Sequence, residues 1–131
     1  MAEDIAVREL DGRSLQELLA STDKLVVAEF YMDGCSACRS MAPVFDDLAR
    51  ELSEGAVFVR VDARPNLDTA LQYGVVATPT FLLFCRGLFL ADVVGIMDLD
   101  GLRKVIGDML RHRSECAGGP MVPPFETDGY R

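Results

Sequence analysis

The sequence predicts an α/β fold in which helices cover both faces of a central mixed β-sheet. Strand-length apolar runs alternate with helical periods as far as Gly74, two β-rich runs only two residues apart follow, and an amphipathic segment closes the pattern near Arg113. At 131 residues, 50% of them hydrophobic, the chain can bury one core and has no room for a second catalytic module. The expected domain covers residues 1–113. Residues 114–131, punctuated by Gly118-Gly119-Pro120, Pro123-Pro124 and Gly129, sustain neither period and read as an extended or flexible Gly/Pro-rich tail.

The elements follow in order. Ser14 to Ala20 brings Leu15, Leu18 and Leu19 to one side, and Ser14 with Glu17 has the spacing of a capping box, so a short helix is expected to open the fold. Leu25 to Tyr31 is nearly all apolar, the pattern of a strand covered on both faces. From Cys38 the apolar positions Met41, Phe45, Leu48 and Leu52 advance by threes and fours, which predicts an amphipathic helix ending before Gly55. Val57 to Val61 reads as a second strand, and Leu67, Ala70, Leu71 and Tyr73 as a short helix stopped by Gly74. Thr80 to Cys85 and Leu88 to Val94, joined by Arg86-Gly87, have hairpin spacing and imply antiparallel pairing. Asp98 caps a last helix carrying Leu99, Leu102, Ile106, Met109 and Leu110 inward.

Composition excludes several functions. A net charge of −8 repels phosphate backbones, so nucleic acid is not an expected partner. The basic run Arg111-His112-Arg113 suits the negative end of a helix instead. The longest apolar stretch, Val75 to Met97, is broken by Pro79, Arg86 and Asp92, so no membrane span is expected. The acidic start, Met1-Ala2-Glu3-Asp4, is unlike a secretory signal, and a cytoplasmic location is the expectation. With His112 the sole histidine, histidine-assisted nucleophiles have little to work with. Of the four cysteines, Cys35 and Cys38 form a Cys-x-x-Cys pair, the spacing of a redox couple or of half a metal site.

From about Leu10 to Arg113 the chain resembles the thioredoxin family. The resemblance is carried by the apolar strand ending Glu29-Phe30-Tyr31, by Cys35-Ser36-Ala37-Cys38 opening a helix that contains Pro43, by Thr78-Pro79-Thr80 before the hairpin, and by Gly87 and Gly95. It implies the thioredoxin fold and a thiol-disulfide oxidoreductase that reduces protein disulfides, with no cofactor or metal. Its implied partners are disulfide-containing proteins and a recycling reductase such as thioredoxin reductase.

The chemistry can be reasoned beside the resemblance. At the first turn of a helix, Cys35 faces unpaired N–H groups and the positive dipole end, which can lower a cysteine pKa from about 8.5 to roughly 3.5–7.5. Cys35 is therefore the expected nucleophile, and Cys38, on the apolar face one turn on, the expected resolving thiol. Glu29, the single charge in an apolar strand, is the expected proton acceptor and donor; the resemblance implies the same role, with glutamate where an aspartate is usual. The alternatives for Glu29 are that it turns outward or pairs with Arg60 or Lys24. In the family the proline matching Pro79 is cis and lies against the two cysteines, so Thr78 and Pro79, with Gly34, Tyr31 and Gly95, are the expected substrate-binding residues. An ordinary trans proline at a strand start is the other reading of Pro79.

Three departures bear on function. Gly34 stands where the family usually carries Trp, which removes a flat recognition surface and implies a narrower target range than that of a general thioredoxin. Ser36-Ala37 replaces Gly-Pro between the cysteines. Cys85 and Cys116 are additional thiols: Cys85 reads as a small apolar side chain at a strand end, and Cys116 as a possible accessory thiol. A competing function is a binding module or chaperone for a specific partner, with the Cys-x-x-Cys pair as a redox switch. Metal binding by Cys35, Cys38 and one or both of the remaining cysteines is a third reading, weakened by the absence of a second Cys-x-x-Cys.

Overall fold

A computed structural model describes residues 6–111. Nine elements follow one another: β1 (Val7–Leu10), α1 (Gly12–Ser21), β2 (Leu25–Tyr31), α2 (Ser36–Glu51), β3 (Ala56–Asp62), α3 (Leu67–Gln72), β4 (Thr80–Cys85), β5 (Leu88–Val94) and α4 (Leu99–Arg111). The strands form one sheet in the order β1-β3-β2-β4-β5. β1, β3 and β2 run parallel, while β4 is antiparallel to β2 and β5 to β4. The sheet is therefore mixed.

Alternation along β2 and β4 divides the core between two faces. On one, Leu15 and Leu19 of α1 and Ala70 of α3 pack against Val26, Ala28, Phe30, Leu82 and Phe84. On the other, Met41, Phe45 and Leu48 of α2 and Leu102 and Ile106 of α4 cover Leu25, Val27, Phe58, Phe81 and Leu83. Phe45 is the centre of this second layer: its ring lies 5.4 Å from that of Phe58 and 5.5 Å from that of Phe81. The Arg86-Gly87 connection turns as its residues require, both in the left-handed region (φ 54° and 82°).

Two expectations are corrected. The fold opens on the strand β1 rather than on a helix; its four residues, Val-Arg-Glu-Leu, alternate weakly and are too few to register as a period. The first helix also starts earlier than the Ser14–Glu17 spacing suggests. Asp11 is its cap, accepting from the Ser14 N–H at 2.8 Å, while Ser14 Oγ accepts from the Asp11 N–H at 2.9 Å. A carboxylate suits the positive helix end better than a hydroxyl, which moves Ser14 to the third helical position and leaves Glu17 on the surface 3.5 Å from Arg13. The tail expected for residues 114–131, Cys116 within it, and the cations His112 and Arg113 lie outside the described residues. Among those described, no helix is long and apolar enough to cross a membrane.

Phe45→Ala deletes the ring that joins α2 to two strands, and is expected to cost about 3–5 kcal/mol of stability, measured as a lower midpoint of urea unfolding at unchanged slope.

Candidate active site

The loop after β2 reverses the chain through Gly34 (φ 82°) and delivers Cys35 as the N-cap of α2. A capping residue ordinarily offers an oxygen to the exposed N–H groups of the first turn. Here the acceptor is sulfur: Cys35 Sγ takes the N–H of Cys38 at 3.2 Å. The Thr78 hydroxyl also donates to it, at 3.4 Å, and the Thr78 carbonyl oxygen lies 3.5 Å away. Cys35 and Cys38 are joined by a disulfide, their Cα atoms 5.2 Å apart. Cys35 is half-buried, whereas Cys38 is 7% exposed and shares the apolar stripe of α2 with Met41 and Phe45.

Thr78 reaches the sulfur because β4 runs antiparallel to β2, with Phe30 opposite Thr80. The segment entering β4 therefore meets the segment leaving β2. The Thr78–Pro79 peptide bond is cis, and Pro79 is buried with its carbonyl accepting from the Gly95 N–H at 2.9 Å. Gly95 follows β5, so three loops converge on one edge of the sheet.

Glu29 occupies the face of β2 that α2 covers and is fully buried. It does not turn outward. Arg60 Nη2 donates to Glu29 Oε1 at 3.2 Å, and among the described residues Oε2 has no hydrogen-bond partner. Burial pushes the carboxyl from the ordinary 4.5 up to about 7, against the opposing pull of the Arg60 charge. Tyr31, two residues on and on the same face, donates its hydroxyl to Glu9 Oε2 at 2.6 Å; burial and this bond hold its phenol above the usual range. Tyr31, Gly34, Cys38, Arg39 and Arg60 line a hollow of about 260 Å³ beside the disulfide.

The expected site residues thus fall into two groups. Cys35, Cys38, Thr78, Pro79, Gly34 and Gly95 gather at the loop edge, and Glu29 lies behind them with Arg60 and Tyr31. The sequence pattern named Arg60 only as an alternative partner of Glu29 and did not name Glu9. Both stand in register with Glu29 across β1, β3 and β2, a pairing that period alone does not reveal. The hydroxyl contact of Thr78 was likewise missed, since only its backbone was expected to matter. Cys85 is buried at the far end of β4, opposite Leu25, and its sulfur is not free, which corrects its reading as a simple apolar side chain. Cys116 is outside the described residues.

The thioredoxin family model matches residues 6–108. The chain is 35% identical to a thioredoxin of Echinococcus granulosus over 106 residues, 81% of this chain and 96% of that protein. It is 40% identical to Thioredoxin-T of Drosophila melanogaster over 80 residues, 61% of this chain and 51% of that one. Thioredoxin H4 of Arabidopsis thaliana is 34% identical over 85 residues, 65% of this chain and 71% of that protein. With the matched region spanning the sheet and the bonded cysteine pair at the head of α2, the chain belongs to the thioredoxin family and carries the site of a thiol-disulfide oxidoreductase.

Proposed function

We propose that the protein reduces disulfides in other proteins, with Cys35 as nucleophile, Cys38 as resolving thiol and Glu29 as the proton acceptor. The observation that carries this reading is the capping role of the Cys35 sulfur, which receives one helix-end N–H and one hydroxyl. Those donors favour a sulfur that carries negative charge over one that carries a proton.

In the reduced protein, the Cys35 thiolate attacks one sulfur of a substrate disulfide. The S–S bond breaks, the other substrate sulfur leaves as thiolate, and a mixed disulfide joins substrate to Cys35. Cys38 then gives its proton to the Glu29 carboxylate and attacks Cys35 Sγ, which releases the second substrate thiolate and forms the Cys35–Cys38 disulfide. Two electrons have passed from the dithiol to the substrate. A recycling reductase such as thioredoxin reductase returns them. A carboxyl near 7 suits the middle step, because it holds and releases a proton with similar ease at neutral pH.

Substrate would lie against Thr78 and Pro79, flanked by Gly34, Tyr31 and Gly95. The neighbouring Val76 and Ile96, 88% and 66% exposed, offer apolar contact to an extended segment. Gly34 is exposed and contributes no side chain, which supports a target range narrower than that of a general thioredoxin. Reductive work of this kind belongs to a reducing, cytoplasmic compartment.

Insulin reduction driven by a dithiol reductant should fall to the uncatalysed background with Cys35→Ser. Cys38→Ser should accumulate a mixed disulfide with substrate, detectable by mass, whereas equal activity in all three proteins would remove the proposal. Glu29→Gln should slow resolution of the mixed disulfide on the order of 10²-fold at neutral pH, with the first attack unchanged.

The Glu29 carboxyl also makes a stability prediction. Between about 4.5 and 7 the native protein keeps a proton that the unfolded chain has released. Stability from this group is therefore complete below 4.5 and is lost as pH rises to about 7. The advantage of Glu29→Gln over the unaltered protein should grow by about 3 kcal/mol between those limits, read from urea unfolding of the oxidised proteins at both pH values.

A further inference from the structure

Glu9, Arg60 and Glu29 stand side by side on neighbouring strands: Glu9 is opposite Arg60, and Arg60 opposite Glu29. Residues paired in this way share a face of the sheet. Arg60 gives Glu29 a single bond of 3.2 Å, and its Nε is buried with no hydrogen-bond partner among the described residues. A guanidinium facing a carboxylate squarely would make two bonds. Its placement is explained from its other side. The guanidinium carbon lies 5.4 Å from the centre of the Tyr31 ring, and that ring is tied to β1 by its hydroxyl bond to Glu9.

We infer that Tyr31, anchored by Glu9, is a positioning residue that holds Arg60 between the buried Glu29 carboxyl and the hollow beside Cys38, and so governs how readily Glu29 gains and loses its proton. The consequence for catalysis rests on the proton-acceptor reading of Glu29; the placement does not. Among the described residues, Arg60 is the one charge facing Glu29 that favours its ionised form. Glu9 from β1 and Asp46 from α2 oppose ionisation, and the paired residue on β4 is the uncharged Phe81. Any loosening of Arg60 therefore leaves Glu29 with burial and two like charges, all of which favour the proton. Arg60, with 23% of its side chain exposed, and Cys38 line the same hollow, while Glu29 behind them is fully buried. A proton leaving Glu29 for solvent by this route passes the guanidinium.

Tyr31→Phe is the discriminating variant, because it keeps the ring and the burial and removes only the tie to Glu9. In the oxidised protein, the Glu29 carboxyl carbon followed by NMR should titrate about half a pH unit higher in Tyr31→Phe, roughly a threefold change in the ionisation constant. With Arg60→Met already present, the same Tyr31→Phe change should leave the titration where it was. An unmoved or lowered midpoint in the single variant overturns the inference, as does a shift of equal size without Arg60. The pH profile of mixed-disulfide resolution is the second readout and should move by the same amount. A carboxyl that shifts while this profile stays fixed upholds the positioning role and removes instead the proton-acceptor reading of Glu29.

Discussion

One contact organises the site: a sulfur atom in the place where a helix expects an oxygen. The first turn of any helix has N–H groups that its own backbone cannot satisfy, and β2 ends so that Cys35 meets this demand in α2. The same contact has opposite consequences for the two redox states. In the disulfide the sulfur is a neutral, weak acceptor. In the reduced protein a thiolate would receive the same N–H, together with the Thr78 hydroxyl and the helix dipole. Stabilising the thiolate would make Cys35 more abundant in the form that the proposed first attack needs, and it disfavours the disulfide. Ser36 and Ala37, which lie between the two cysteines, therefore sit where they can tune the balance.

Glu29 is the cost that accompanies this arrangement. A carboxyl in a central strand, covered by α2, is fully buried and has one hydrogen bond among the described residues in return. An apolar residue of similar size would stabilise the fold more. The strand nevertheless places its only charge on the face shared with Cys38, and burial moves that charge into the range where protons are exchanged at neutrality. On the proposed reading of Glu29 as proton acceptor, stability is exchanged for chemistry, as is common where a perturbed group lies beside a reactive one.

Much of this was legible in the residues because the core obeys simple periods. β2, β4 and β5 begin and end at the residues their apolar runs mark, and α2 follows the spacing from Cys38 to Leu52. What was not legible depends on pairing between distant segments. β1 exists because Val7 to Leu10 can lie along Phe58 to Val61, and four residues in isolation carry no such signal. Glu9 acquires meaning only through that register, which sets it opposite Arg60. The Asp11 cap was missed for a related reason: two capping patterns overlap in Asp11-Gly12-Arg13-Ser14, and the stronger acceptor prevails.

The convergence of the site follows from a single reversal of direction. β3 and β2 are parallel, so the ends of both point to the same edge of the sheet. β4 is antiparallel to β2 and so starts at that edge; β5, reversed again, ends there. Cys35 after β2, Thr78 before β4 and Gly95 after β5 are 43 and 60 residues apart from the first, yet the hydrogen bonds Thr78–Cys35 and Gly95–Pro79 join them. Had β4 run parallel to β2, Thr78 would lie at the opposite edge, beside the present position of Cys85. The cysteine pair would then be a capped helix end without the Thr78 hydroxyl, and Gly95 reaches Pro79 only because the hairpin turn at Arg86 and Gly87 sends β5 back to the same edge.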